Sequence, residues 1–167
     1  MHILTPVCDE IISKLKIGDM VTISGYIYCG RDAVLPKVVH LAEKGLLEQS
    51  CIDLSGGVVF HTAVSPAGVG PTSSNKLEIE SSIEPLSKAG VKMHLGKGAI
   101  SPKTVEGLRK HNAVFAVIPP VTALLEDKTL KKIVVAFPEE GMEALHMLKV
   151  DGFPAIIAAA HGETIYG

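Results

Sequence analysis

At 167 residues the chain is read as one compact domain, 1–167, able to bury a core without disulfides or metals. Sixteen basic against eighteen acidic residues leave a formal net charge of −2; the cations are scattered, which argues against a nucleic-acid or membrane surface. Three cysteines, at positions 8, 29 and 51, form neither a zinc signature nor a disulfide framework, so a reduced, cytoplasmic setting is expected.

The opening Met1–Pro6 lacks the basic and apolar regions of a signal peptide, and no apolar run approaches a membrane span. Cys8 to Leu15 reads as a short helix. Met20 to Cys29 alternates in part and is rich in β-branched and aromatic residues, predicting a strand with an irregularity at Gly25. Asp32 is placed to cap the next helix, whose Val34, Val38, Leu41 and Ala42 form an apolar stripe that Gly45 ends. Val58 to Ala63 predicts a strand feeding the turn Gly68–Lys76. Thr72 then stands at an N-cap, shared with Ser73, Ser74 or Asn75, and Ile79, Ile83 and Leu86 line one face of a helix. Val91 to Leu95 is a strand, Ser101-Pro102 opens a helix ending near His111, and Ala113 to Ile118 is a buried strand. Lys132 to Phe137 is another strand, Pro138 starts a helix through Leu148, and Phe153 to Ala160 is the last strand. Strands alternating with helices, several of them continuously apolar, predict an α/β domain with a largely covered sheet.

Ligand groups in such domains collect past the carboxyl ends of strands. Three junctions carry cationic or hydroxyl side chains there, each beside glycine: Arg31 after Gly30, Thr72 with Lys76 after Gly70, and Lys97 between Gly96 and Gly98. An arginine fork, lysine point charges and a helix N-terminus suit a small dicarboxylate better than a neutral ligand. The plainer reading of each also stands: a capped surface helix, an Arg31–Asp32 ion pair, a solvated loop lysine. His61, His94 and His111 are too far apart in sequence for a metal site and read as structural. Neither phosphate-loop nor dinucleotide spacing is present. Cys29 reads as a buried strand cysteine, because no base stands near it in sequence.

Six short motifs then occur in one order: Thr5-Pro6, Ser24–Ala33, Val69–Ser73, Gly96-Lys97-Gly98, Phe137–Ala144 and Asp151–Ala155. In this the chain resembles the β subunit, or carboxy-terminal catalytic domain, of the class I iron–sulfur fumarases and L-tartrate dehydratases, over nearly its full length. The resemblance implies a three-layer β/β/α swivelling domain with a mixed sheet covered by helices. It implies a 4Fe–4S cluster held by a partner α subunit and not by this chain, whose cysteines do not match the ligands. It also implies that Arg31 holds a substrate carboxylate, that Thr72 is the base for the C3 proton, and that Lys97, with Lys76, completes a charged pocket.

Three features depart from the family pattern: Lys76 stands where many members have arginine, Leu35 where many have histidine, and a Ser-Thr-rich turn replaces Ala or Gly around Ser74 and Asn75. The expected function is the β subunit of a hydro-lyase that hydrates fumarate to L-malate. The alternatives are the β subunit of an L-tartrate dehydratase and a non-catalytic anion-binding module of the same fold.

Overall fold

Val21, Ile23, Ile27 and Cys29 point from one long strand, Met20–Gly30 (β2), into a single core. The alternation slips at a bulge between Ile23 and Gly25, where Gly25 takes φ +114°. Only glycine adopts that φ without strain, and a Cβ there would run into the side chain and backbone of Thr5. The computed structural model describes residues 1–31, 33–50, 52–65, 68–72, 76–97, 99–118 and 128–165, with backbone alone at 63–65, 68–72 and 76–79.

Among the described residues the order of elements is β1 (His2–Leu4), α1 (Asp9–Lys14), β2, α2 (Leu35–Glu43), β3 (Val58–Ser65), β4 (Gly68–Thr72) and α3 (Lys76–Lys88). There follow β5 (Met93–Gly96), α4 (Pro102–Lys110), β6 (Val114–Val117), β7 (Thr129–Ala136), a 3-10 segment (Pro138–Glu143), β8 (Leu145–Ala160) and β9 (Glu163–Thr164). The expected helix through Leu148 is not formed. Leu148 and Val150 are buried with Lys149 exposed between them, a period of two that belongs to a strand, so the 3-10 segment stops at Glu143 and β8 runs for 16 residues.

The fold is α/β with a mixed sheet. β2, β3, β5 and β6 pair in parallel, and β8 pairs antiparallel with both β6 and β2, which closes the sheet on itself. Closure removes the edges that would otherwise offer unpaired backbone groups at β2 and β6. Inside lie residues from every strand of the circuit, among them Ile23, Phe60, Leu95, Val114 and Phe153, with Ile12 and Leu15 from the α1 region. Phe60 and Phe153 meet edge-on at 5.7 Å, an arrangement worth about 1 kcal/mol beyond the area it buries.

Outside, α2, α3 and α4 cover one side of the circuit. Val38 and Leu86 pack with Tyr28 and Val59, and Ile83, Val105 and Leu108 pack with Phe115 and Ala158. The sheet with helices on one side gives the expected α/β class, with the sheet closed into a small barrel-like circuit. Ser101 caps α4 as predicted, its Oγ accepting from the Thr104 N–H at 3.3 Å. The cap of α2 differs: its N-cap position is Val34, with no side-chain capping bond, and Asp32 lies outside the described residues. No helix among the described residues is long and apolar enough to cross a membrane.

Candidate functional site at the carboxyl ends of β2, β3 and β5

Strand register decides which of the proposed residues can meet. Gly30 of β2 is opposite His61 of β3. Leu95 of β5 is opposite Phe60, which brings Gly96 level with His61. Arg31 and Lys97 each follow by one residue, so they leave the sheet at the same level on the two strands that flank β3. Thr62 occupies that level on β3 itself, and the hairpin partner of Thr62 is Thr72. Strands lie about 4.8 Å apart, so the backbones of Arg31 and Lys97 are separated by roughly 10 Å, a gap two long side chains can close on a small molecule.

Thr72 is the last residue of β4 rather than an N-cap, because the chain stays paired to β3 through the Gly-Pro-Thr turn. Lys76 is the first residue of α3 and therefore not one helical turn beyond Thr72. Ser73, Ser74 and Asn75 lie outside the described residues, as do the side chains of Thr72 and Lys76. The far end of α3 reaches Gly90, whose carbonyl accepts from Gly56 N–H at 3.0 Å, just ahead of β3. The N-terminus of α3 therefore lies at the opposite, carboxyl end of the strands, where its dipole favours an anion.

Lys97 is exposed and Arg31 is half-buried. The Arg31 Nε atom is buried and has no hydrogen-bond partner among the described residues. Leu35 is 3% exposed at the start of α2. A Cβ on Gly30 would strike Leu35 and Val34, so the glycine before Arg31 is required by close packing of α2 on β2.

The composition and spacing of the chain gave no sign of a histidine pair beneath this level. His61 and His94 are fully buried, and His61 Nε2 lies 3.1 Å from His94 Nδ1. His94 Nε2 lies 2.8 Å from Ser87 Oγ, which donates to the Ile83 carbonyl at 2.7 Å. Burial holds the His61 imidazole down to a pKa of about 4 and His94 well below its ordinary value, with His61 as its second cause. Both rings are neutral near pH 7. His61 Nδ1, like Arg31 Nε, is buried without a partner. The signal available in sequence was positional: each histidine alternates with core residues on a strand that ends in the site.

Cys29 faces the sheet interior and burial pushes its thiol far up, Cys8 is exposed, and Cys51 lies outside the described residues. Among the described residues no three His, Cys, Asp or Glu side chains are placed to hold a metal. A groove lined by Glu43, Glu84, Lys88 and His111 opens at the amino-terminal end of the strands, away from Arg31 and Lys97.

Other motif residues are scaffold. Ser24 Oγ donates to Asp151 Oδ1 at 3.3 Å and accepts from Gly152 N–H at 2.9 Å, tying the β2 bulge to β8. Lys37 Nζ bonds Glu140 at 2.8 Å, fastening the 3-10 segment to α2.

Over residues 1–167 the chain matches the family described as Fumarase C-terminus. It is 28% identical over 175 residues to "Putative fumarate hydratase class I" of Geobacillus stearothermophilus, covering 96% of this chain and 32% of that protein. It is 28% identical over 174 residues to L(+)-tartrate dehydratase subunit beta of Escherichia coli K12, covering 96% of this chain and 84% of that one. The chain thus spans about a third of the first relative and most of the second.

Proposed function

Because the chain belongs to the Fumarase C-terminus family, we propose that it is the β-type half of an iron–sulfur hydro-lyase, completed by an α subunit and acting on fumarate and L-malate. The observation that carries this reading is the register that brings Arg31, Thr72 and Lys97 to one level at one end of adjoining strands. The cluster is assigned to the α subunit, so this chain's share of the reaction is carboxylate binding and proton transfer.

Arg31 binds a substrate carboxylate with its fork, and Lys97 and Lys76 add positive charge to the same pocket. Thr72 exchanges the C3 proton. A threonine alkoxide is a high-energy species, and it becomes accessible only where neighbouring cations and a helix N-terminus stabilise its charge. The start of α3 and the two lysines are the groups suited to that. In the cytoplasm the complex then adds water across the double bond of the diacid, or removes it, with this chain as the acid–base half.

Co-expression with a candidate α subunit, anaerobic reconstitution and a fumarate absorbance assay test the reading. Thr72→Ala is expected to abolish turnover and Arg31→Ala to lower kcat/KM on the order of a hundredfold, each leaving subunit association intact. Full turnover in either variant would remove the role assigned to that residue. L(+)-tartrate is the second substrate to assay, since the tartrate dehydratase relative is itself a separate β subunit of similar extent.

A further inference from the structure

Opposed residues of an antiparallel pair point to the same face of a sheet, and this puts a histidine inside the circuit at the end where Arg31 leaves it. His146 of β8 is directly opposite Cys29 of β2, and Cys29 faces the closed interior. Arg31 follows Cys29 by two residues, one residue past the end of β2. It is therefore the diagonal neighbour of His146 on that face, a separation of about 7–8 Å that a long side chain spans.

One hydrogen bond fixes the His146 ring. Nδ1 lies 2.8 Å from the Ala144 carbonyl, which can only accept, so Nδ1 carries a proton and Nε2 is the nitrogen left over. The buried side-chain atoms without a partner are Arg31 Nε and His61 Nδ1. His146 Nε2 is not one of them and has no partner among the described residues, so solvent reaches it although the residue is only 7% exposed. The ring is thus held by one edge and open at the other, inside a closed sheet and beside the strand ends.

Its neighbours decide what it can meet there. Opposite on β2 is Cys29, kept neutral because burial pushes its thiol up. On β7 Val134 is opposite, and Lys132, two residues earlier, shares its face. Across the circuit Phe60 and Leu95 are level with Cys29 and carry no charge, and Lys97 follows Leu95 by two residues. The charges around this face are therefore Arg31, Lys132 and Lys97, all positive. A carboxylate bound among them favours a second proton on the imidazole, because an anion at hydrogen-bond distance stabilises the charged ring. Nε2–H then becomes one more donor to it.

We propose that His146 is a further substrate-binding residue, which takes up one proton from solvent when a diacid binds and donates from Nε2–H to the carboxylate that Arg31 holds. The proposal rests on the reading of this end of the sheet as a diacid site, and it makes binding of the dianion depend on pH through a group of this chain.

The test uses succinate, a diacid that does not turn over, on the reconstituted complex with this chain carrying 15N-histidine. By calorimetry at pH 6.5 the parent is expected to bind succinate about tenfold more tightly than His146→Gln, the worth of one hydrogen bond to a charged group. That ratio is expected to shrink toward one at pH 8.5. By nitrogen NMR at pH 7.5, succinate is expected to increase the proton occupancy of His146 Nε2 while Nδ1 stays protonated throughout. Should the variant not fold, the resonances of the unsubstituted chain decide. Succinate binding that leaves the His146 resonances in place, a parent-to-variant ratio equal at the two pH values, or a resting ring protonated at Nε2 alone would each overturn the proposal while leaving the diacid site standing. Failure of the parent complex to bind succinate at either pH would overturn the diacid site and the proposal together.

Discussion

His61 Nε2 and His94 Nδ1 are 3.1 Å apart with both rings fully buried, one strand apart beneath the level of Arg31 and Lys97. Neither can take a proton without placing a charge in the sheet–helix interface.

That burial couples stability to pH. His61 binds its proton at about pH 4 in the folded chain against an ordinary 6.5, and His94 is shifted the same way. Between those values the unfolded chain binds more protons than the folded one, so stability is complete above pH 6.5 and declines as pH falls toward 4. A shift of this size corresponds to about 3 kcal/mol for His61. Urea midpoints measured from pH 7.5 to 4.5 are expected to fall steeply below pH 6.5. The double variant His61→Phe, His94→Leu is expected to flatten that decline, and an unchanged slope would place the acid sensitivity elsewhere.

Arg31 has a buried donor that gives nothing to the fold, so its contribution is expected in substrate binding rather than in stability. Arg31→Lys keeps the charge and loses the fork. In the reconstituted complex kcat/KM is expected to fall on the order of tenfold, and in Arg31→Met on the order of a hundredfold, the range for hydrogen bonds to charged groups. The urea midpoint of each variant is expected to stay at the parent value.

Gly25 joins the β2 bulge to the segment that follows β1. Gly25→Ala forces a side chain onto φ +114° and into Thr5. A loss of roughly 2–3 kcal/mol in urea unfolding is expected. Gly45→Ala is the control, since φ is +71° there but a Cβ meets nothing within 4 Å; its cost should be about 1 kcal/mol.

Thiol labelling separates the two described cysteines. Cys8 is exposed and should react with a maleimide in the native chain, whereas Cys29, buried in the core with its thiol pushed up, should react only on unfolding. Rapid native labelling of Cys29 would contradict the closed sheet around it.

How much of this was legible before the coordinates can be argued from particular segments. Apolar spacing was enough for α2, and Ser101-Pro102 marked the start of α4 correctly, because a capping side chain acts within a few residues of itself. Gly25 announced its bulge for the same reason. Leu145–Leu148 reads as helix in the sequence because the preceding Pro138-Glu139-Glu140 is a good helix start, and only pairing with both β2 and β7 selects the strand. Thr72 was placed on a helix for want of the hairpin with β3, a contact made outside its own neighbourhood. The expectation that Arg31 and Lys97 serve one pocket rests on the rule about strand ends, whereas no such rule pointed to the histidine relay. Thirty-three residues separate His61 from His94, and only strand register brings them together.

The central claim is that Arg31, Thr72 and Lys97 form one half of a diacid site whose other half is a second polypeptide. Fumarate hydration by the anaerobically reconstituted complex, compared with the same complex carrying Thr72→Ala, tests it most directly. The account predicts robust turnover with the parent chain and none above background with the variant at equal subunit association. Equal turnover in the two would contradict it.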